Sequence, residues 1–474
     1  MEEKKINKSI IFSVVAVLLI VVVVIGATVA YFSAQAQTDV QTVTTANLSL
    51  EFDDDSATIL GSDITPISTS EVLTKAPHKN FTIKKGATSS DIYATIKLTD
   101  ITIPEALAEY DFKWALYQNT NKIATGDFGG KTSEDIILAT NELITANTDY
   151  SLYVWINETG LDQSALENQT FKATISVIGN KTKLNTLASV ILGENNANVT
   201  TTAPTFTTTS TDKGLFVQQG DTEKSEMGFP TYYYRGSVTN NYVKFGTYQT
   251  TDGRNTVGNP ILWRIVRINE DGSIRLISEN VVSGTLEFNS YQESKYINDD
   301  GTDSDVKTAV ETWYNSNIGS NTTLDNKVVT SSFCNDISGI DFNTEDYEDA
   351  GNASARLTSE TPSPIYTCPA GAIKAYEKVG MITADEMVYG GALYDKSVTN
   401  NTTYLNNNSN YWTLTSHAYL NGFYDVFLWI ARDAYLNDDT NVDYTSSRAV
   451  INLSPDVTVT GGDGLSADTA YTIQ

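Results

Sequence analysis

The chain has 474 residues and carries 31 lysines and arginines against 58 aspartates and glutamates, a formal net charge of -27. This length exceeds what one hydrophobic core usually serves, so the sequence predicts a multidomain protein. So acidic a chain repels phosphate backbones, and no basic cluster follows Lys8, which excludes nucleic acid as an expected partner.

Residues 1–36 are predicted to direct the chain to the cytoplasmic membrane. Several lysines precede an apolar run from Ile10 to about Ala30. A basic head and an apolar run of roughly 20 residues place the head inside and the remainder outside the membrane. The length favours a retained transmembrane helix, whereas Ala-Gln-Ala at 34–36 has the pattern of a signal-peptide cleavage site, so both outcomes stay open. Either way, the bulk of the chain is expected at the outer face of the membrane, at the cell surface or secreted.

A resemblance to a known family rests on two stretches near the N-terminus. One is Gly-Ala-Thr-Val-Ala-Tyr-Phe-Ser at 26–33, and the other is the Thr- and Val-rich segment after it, which ends in Asn-Leu-Ser-Leu at 47–50. Together they are similar to the signal region of the camelysin/TasA group of bacterial biofilm-fibre proteins. The resemblance implies cleavage by a signal peptidase near this block. A strand freed at 32–45 could then complete the open edge of a neighbouring subunit. The alternatives are a first strand paired within its own domain, or a flexible stalk.

Residues 37–180 are predicted to form an all-β antiparallel sandwich. Short runs of alternating apolar and polar residues, separated by turn clusters, supply about seven strands. The segment 118–121 is predicted to be a hairpin loop, and Trp114 and Trp155 are expected to anchor the core.

Residues 181–228 are predicted to be a linker. The part at 184–195 is a candidate for a short amphipathic helix, and the rest is rich in Thr and Asn with few charges. Such a composition is typical of an extended tether between two units that fold independently.

Residues 229–474 are predicted to form an α+β domain. The segment 261–278 is the plainest hairpin in the chain, and 305–315 has the apolar spacing of a helix. A second short helix is expected to begin at Thr383, which stands three residues before Glu386 in the spacing of a capping box.

Several motifs in this region carry a second resemblance: "YVKFG", "FCND", "GMITADEMVYGG", "YWTLTS" and "INLSPDVTVTGGDG". They resemble an uncharacterised domain of exported bacterial proteins that is related to the C-type-lectin-like fold, and distantly to formylglycine-generating enzymes. The resemblance implies a C-type-lectin-like domain. This chain departs from the pattern at Ala449, where the family usually has proline. Formylglycine-generating activity is rejected, because it needs cysteines near the last strands and none follows Cys368.

Cys334 and Cys368 are the two cysteines of the chain. In an exported protein an even pair most simply forms one disulfide, and the second resemblance places family cysteines at the same positions. Two buried free thiols are the alternative, since nothing nearby is basic enough to activate a thiolate.

Catalytic and metal sites are not expected. A hydrolytic triad needs a histidine, and His417 is too close to Ser416 along a strand for the two side chains to face each other, so it is interpreted as an ordinary surface or core residue. The acidic segments 298–305 and 436–443 offer oxygen ligands as calcium sites do, but neither has the EF-hand spacing. Solvated turns are the favoured interpretation of both.

Aromatic side chains among Asn and Asp late in the chain predict a recognition surface, because rigid aromatic rings beside adaptable polar groups are typical of binding faces. The predicted ligand-binding residues are Tyr419, Phe423, Tyr424, Tyr435, Asp438 and Tyr444. The expected function is that of a non-enzymatic, adhesin-like protein of the bacterial cell surface, with no cofactor, whose ligand is a glycan or a host or cell-surface protein. The alternatives are a self-assembling subunit of a surface or biofilm fibre, and an exported hydrolase with an unfamiliar site.

Overall fold

The structure is a computed structural model that describes most of the chain after residue 47. The described residues are 48–52, 66–86, 91–108, 111–158, 163, 166, 169–207, 211–220, 224–250, 255–290, 294–342, 349–394, 403–419, 425–427, 435–440 and 444–473, with the backbone alone at 32–35, 58–62, 420, 423–424 and 428–430. The predicted membrane-directing segment 1–36 lies outside the described residues except for 32–35. Among the described helices, none combines the length and the apolar character needed to cross a bilayer.

Strands supply most of the regular secondary structure. In the first part of the chain they are β1 (Phe32–Gln35), β2 (Leu48–Phe52), β3 (Thr58–Ser62), β4 (Pro66–Ile67), β5 (His78–Lys85), β6 (Ile92–Thr102), β7 (Phe112–Gln118), β8 (Asn121–Asp127), β9 (Ile136–Ile144), β10 (Thr148–Asn157) and β11 (Thr170–Asn180). A 3-10 turn, Thr69–Glu71, and two short helices lie between them, α1 (Val72–Lys75) and α2 (Glu105–Ala108).

These strands form two sheets. One has the order β1-β11-β6-β9 with β3 also on β11, and the other has the order β2-β5-β10-β7-β8 with β4 on β10. Apart from the two-residue parallel contact of β4, neighbours are antiparallel. Alternate side chains of both sheets, such as Ile96 from one and Trp114 from the other, share one buried core. The predicted arrangement of antiparallel strands in sandwich-like sheets is confirmed.

Two local predictions in this unit can be compared with the structure. Gln118 pairs with Asn121, so β7 and β8 are joined by a two-residue turn, as predicted; Asn119 has a φ of 54°, which asparagine tolerates. Trp114 is in the core between the sheets. Trp155 is also buried, but it packs in a separate small cluster with Val72 of α1.

The rest of the chain contains a second group of strands. They are β12 (Val199–Thr200), β13 (Gly214–Gln218), β14 (Thr231–Arg235), β15 (Tyr242–Thr247), β16 (Pro260–Ile268), β17 (Ile274–Ser278), β18 (Ser331–Asn335), β19 (Asp349–Ala350), β20 (Ile373–Glu377), β21 (Val379–Gly380), β22 (Tyr411–Leu420), β23 (Phe423–Ile430), β24 (Tyr435–Thr440), β25 (Val450–Leu453), β26 (Val459–Gly461) and β27 (Tyr471–Ile473). The helices are α3 (Leu187–Leu192), α4 (Asp305–Tyr314), α5 (Thr322–Asp325), α6 (Asn352–Leu357) and α7 (Ala384–Tyr389), with a 3-10 turn at Glu194–Asn196 and a π-helical turn at Asn315–Gly319.

These strands form three sheets. The largest runs β12-β13-β14-β16-β15-β27-β26, and β17, β25 and β21 extend it from β16. β18 pairs with β20, and a four-stranded sheet has the order β19-β22-β23-β24. The predicted hairpin at 261–278 is present as β16 and β17, which turn at Gly272 with a φ of 81°. The capping box of Thr383 and Glu386 at the start of α7 is also confirmed.

The segment 181–228, predicted to be an extended tether, contributes to the second core. Leu187 and Ile191 of α3 are 0% and 2% exposed and pack with the buried residues of the large sheet. They are four residues apart, so both lie on one face of the helix. β13 pairs with β14 and thereby joins the same sheet.

The two parts of the chain that surround these cores contact each other. Nζ of Lys374 in β20 lies 3.0 Å from Oδ1 of Asp111 and 3.2 Å from Oε2 of Glu226. Beside this cluster, the ring of Tyr376 lies against Gly129, where an added Cβ would stand 1.8 Å from Cε1 of the ring. Glycine is therefore required for this close approach.

Candidate functional site

One disulfide and a set of buried ion pairs brace the second core. Cys334 in β18 is bonded to Cys368 in the segment that precedes β20, which confirms the predicted disulfide. Close by, Arg275 pairs with Glu386 and Arg356 pairs with Asp385. The enclosed space that these groups line is about 40 Å³, room for little more than water. We interpret this region as structural.

A much larger groove lies between the segment 282–290, helix α4 and Tyr444. Its volume is about 710 Å³, which falls in the range of small-molecule binding sites. Backbone hydrogen bonds between Leu286 and Thr445, at 2.8 and 3.1 Å, hold the two loops of its rim together. The residues that line it are Thr250, Val282, Ser283, Gly284, Thr285, Leu286, Glu287, Ser290, Asp305, Thr308, Ala309, Thr312, Trp313, Ser316 and Tyr444.

Hydroxyl-bearing residues are frequent along the groove, and aromatic rings lie at its wall and rim. Most of its lining side chains are hydroxyls, two are carboxylates, and none of the described lining residues is a lysine or arginine. Tyr444 is 69% exposed, and its hydroxyl donates to Oε1 of Glu287 at 3.0 Å. This hydrogen bond raises the pKa of Tyr444, so the ring remains a neutral phenol. Trp313 is mostly buried and packs edge-to-face against Trp263.

The predicted ligand-binding residues are not all in one place. On the backbone, Tyr419 pairs with Tyr424, and Phe423 pairs with Leu420, so these three lie at the turn end of β22 and β23. Tyr435 and Asp438 are on the outer strand β24.

Their exposure differs as well. Tyr435 is only 8% exposed, which makes it a packing residue more than a contact residue. The hydroxyl of Tyr394 donates to Oδ1 of Asp438 at 2.5 Å. Among the predicted residues whose side chains the structure describes, Tyr444 is the one that lines the groove.

A histidine and two aspartates also come together on the four-stranded sheet. A ring nitrogen of His417 and carboxylate oxygens of Asp425 and Asp438 lie within 4.8 Å of one another. His417 and Asp425 are 8% and 4% exposed. Within the described part of the chain, this is the group whose donor atoms are placed to share a metal ion.

The first acidic segment behaves as a set of turns and ion pairs. Oδ1 of Asp300 accepts from the backbone N–H of Thr302 at 3.0 Å, and Asp299 lies 2.5 Å from Nζ of Lys295. In the second acidic segment, 436–440 belongs to the strand β24, and 441–443 lies outside the described residues.

Comparison with protein-family models, with curated proteins and with solved structures gives no significant match. The groove and the histidine–aspartate cluster must therefore be interpreted from their own geometry. The sequence did not indicate either one, because the groove is assembled from segments far apart in the chain and the cluster depends on the register of three consecutive strands. For the groove, the recurrence of Ser and Thr along α4 and 283–290 beside a tryptophan was the available signal.

Proposed function

We propose that this chain is an exported, non-enzymatic protein of the bacterial cell surface that displays a C-type-lectin-like recognition domain on a β-sandwich stalk. We further propose that the recognition domain binds a glycan in the groove beside Tyr444. The observation that carries the proposal is the groove itself: about 710 Å³ of open, hydroxyl-rich space beside an exposed tyrosine ring.

The chemistry of the lining favours a sugar. The C–H face of a pyranose can stack on an aromatic ring, and its hydroxyls both donate and accept hydrogen bonds. The carboxylates of Glu287 and Asp305 accept hydrogen bonds from such hydroxyls, and the lining Ser and Thr side chains do both. The described lining residues include two carboxylates and no lysine or arginine, and such an acidic wall repels anions. The preferred ligand is therefore a neutral or amino-sugar glycan.

Export is supported by the N-terminal sequence and by the disulfide. Disulfides persist in oxidising surroundings, and the Cys334–Cys368 bond fits a protein that folds outside the cytoplasm. The basic head and apolar run of residues 1–36 supply the membrane-directing signal.

Glycan-array binding of the full chain, purified in detergent, tests the proposal. Wild type is expected to bind neutral or amino-sugar glycans, Tyr444→Ala to weaken binding about tenfold or more, and Tyr444→Phe, which keeps the ring, to lose less. Leu465→Ala is the control, because Leu465 is 54% exposed and lies outside the groove. Equal binding by wild type and Tyr444→Ala, or binding of anionic glycans alone, would overturn the proposal.

A second candidate function is that of a fibre subunit assembled by N-terminal strand exchange. β1 occupies the edge of β11, where Phe32 pairs with Gly179 and Gln35 with Ser176. These edge groups would accept the same strand from a neighbouring copy by backbone hydrogen bonding.

A further inference from the structure

The cluster of His417, Asp425 and Asp438 is built by an irregularity in the four-stranded sheet. Ser416 pairs with Val426, but Ala418 pairs with Asp425, so β22 has one more residue than β23 between these two pairs. His417 is that extra residue, the signature of a β-bulge. Bulges redirect side chains and recur beside functional sites.

The strand register brings the two carboxylates to the same face. Asp425 and Phe427 are two residues apart on β23 and therefore point the same way. Phe427 pairs with Asp438 of β24. The ring of His417 packs edge-to-face on Phe427 at 4.9 Å between centroids, which places the imidazole on this face as well.

We propose that His417, Asp425 and Asp438 bind a divalent transition-metal ion, with Zn²⁺ as the best fit. One imidazole nitrogen and two carboxylates match the donor set of such ions, whereas Ca²⁺ and Mg²⁺ prefer oxygen ligands alone. Two carboxylates offset the double positive charge of the ion. Because His417 and Asp425 are less than 10% exposed, the ion is held largely away from solvent.

The three ligand side chains have neighbours of the kind that orient metal ligands. Nε2 of His417 lies 3.1 Å from Oγ of Ser354, and this contact orients the imidazole ring. Tyr394 donates to Asp438 and stacks on His417 with 5.9 Å between ring centroids. Partners of this kind fix the orientation of ligating side chains.

Binding of the ion requires only a small inward movement of the three ligand side chains. Ligands at tetrahedral Zn²⁺ stand roughly 3.3 Å apart, so donor atoms now within 4.8 Å of one another must move inward. Asp438 is the partly exposed member, on the outer strand β24, and has the most room to move. Binding would tie together β22, which carries Tyr419, β23, and β24, which carries Tyr435.

Metal content and affinity of the full chain in detergent test this inference. After loading with Zn²⁺ and dialysis, wild type is expected to retain about one ion per chain by mass spectrometry. Asp438→Asn is expected to weaken Zn²⁺ binding tenfold or more in isothermal titration. The matched control is Asp439→Asn, the same substitution at the adjacent, exposed position, which is expected to bind as wild type does.

Tyr394→Phe provides a second variant that keeps all three ligands. Loss of its hydrogen bond to Asp438 is expected to weaken Zn²⁺ binding about tenfold while circular dichroism stays unchanged. Retention of no Zn²⁺ by the wild type, unchanged affinity in both Asp438→Asn and Tyr394→Phe, or preference for Ca²⁺ over Zn²⁺ would overturn the inference. None of these results bears on glycan binding at Tyr444, so the two proposals fail separately.

Discussion

Oε1 of Glu386 lies 2.5 Å from Nε of Arg275, and the side chains of both residues are 2% exposed. A second guanidinium, that of Arg267, approaches the same oxygen at 3.4 Å. Burial alone would raise the pKa of Glu386, but attraction to Arg275 and Arg267 outweighs burial and lowers it. Glu386 also closes the capping box of α7, so one carboxylate joins the helix to the hairpin of β16 and β17.

Glu386→Gln is therefore expected to destabilise the protein strongly. It leaves the buried guanidinium of Arg275 and the partly buried one of Arg267 without their counter-charge. Breaking a buried ion pair costs about 3–5 kcal/mol in the free energy of unfolding. Urea denaturation followed by tryptophan fluorescence measures the change. Glu71→Gln, in an exposed ion pair with Lys75, is the control and should have little effect. A similar small effect at both positions would contradict this account of Glu386.

Removal of the disulfide is expected to lower stability by about 2–4 kcal/mol, because the Cys334–Cys368 bond closes a loop of 34 residues and restricts the unfolded chain. The double variant Cys334→Ser with Cys368→Ser should unfold at lower urea concentration than wild type. A reducing agent should bring wild type to the level of the variant and leave the variant unchanged. Identical midpoints with and without the bond would refute the prediction.

The contact between the two cores is expected to weaken in acid. Burial alone would raise the pKa of Asp111, but attraction to Lys374 and Lys113 outweighs it and lowers the pKa below the model-compound value of 3.8. A carboxyl with a lowered folded-state pKa stabilises fully above its unfolded pKa, and this contribution is lost as pH falls through the folded pKa. Wild type should exceed Asp111→Asn in melting temperature at neutral pH, and the difference should shrink below about pH 4. A difference that stays constant across this range would contradict the assignment.

Filling the groove should abolish glycan binding without unfolding the protein. Thr308 is exposed on α4 and lines the groove, so Thr308→Trp places a large ring in the space for a sugar. Capture on the glycan array should fall to background while the melting temperature is retained. Thr323→Trp is the control, since Thr323 is an exposed helical residue of α5 outside the groove. Undiminished capture by Thr308→Trp would place the binding surface elsewhere.

Strand exchange makes a prediction of its own. Ala34 pairs with Val177, and Ala34→Pro removes a backbone N–H from β1 and disfavours the strand. If copies assemble through β1, wild type should form concentration-dependent oligomers in size-exclusion chromatography and Ala34→Pro should not. Ala34→Thr, which keeps the N–H, serves as the control. The absence of oligomers in wild type at every concentration would argue against a fibre.

Elements fixed by neighbouring residues were predictable from the sequence. The turn at Asn119, the capping box of Thr383 and the hairpin at 261–278 depend on spacings of a few residues, and the structure has all three. The disulfide was also predictable, because the chain has two cysteines and, in a chain expected to be exported, an even pair most simply forms one bond.

Features that depend on register could not be predicted in this way. His417 was interpreted as an ordinary side chain, since nothing local shows that a bulge brings it to Asp425 on the next strand. The composition of 181–228 indicated a tether because Thr and Asn dominate it, yet the buried residues Leu187 and Ile191 are the ones that determine how the segment packs.

The position of β1 has a mechanical consequence. Phe32, at the start of β1, pairs with Gly179, and β11 ends at Asn180 before the chain continues to the second core. The chain therefore enters the sandwich through β1 and leaves it through β11 at the same end. A pull between the N-terminus and the second core would load the β1–β11 ladder one hydrogen bond at a time, as a zipper opens, and leave the other strands under no tension. In a single-molecule stretching experiment this ladder should part first and at low force.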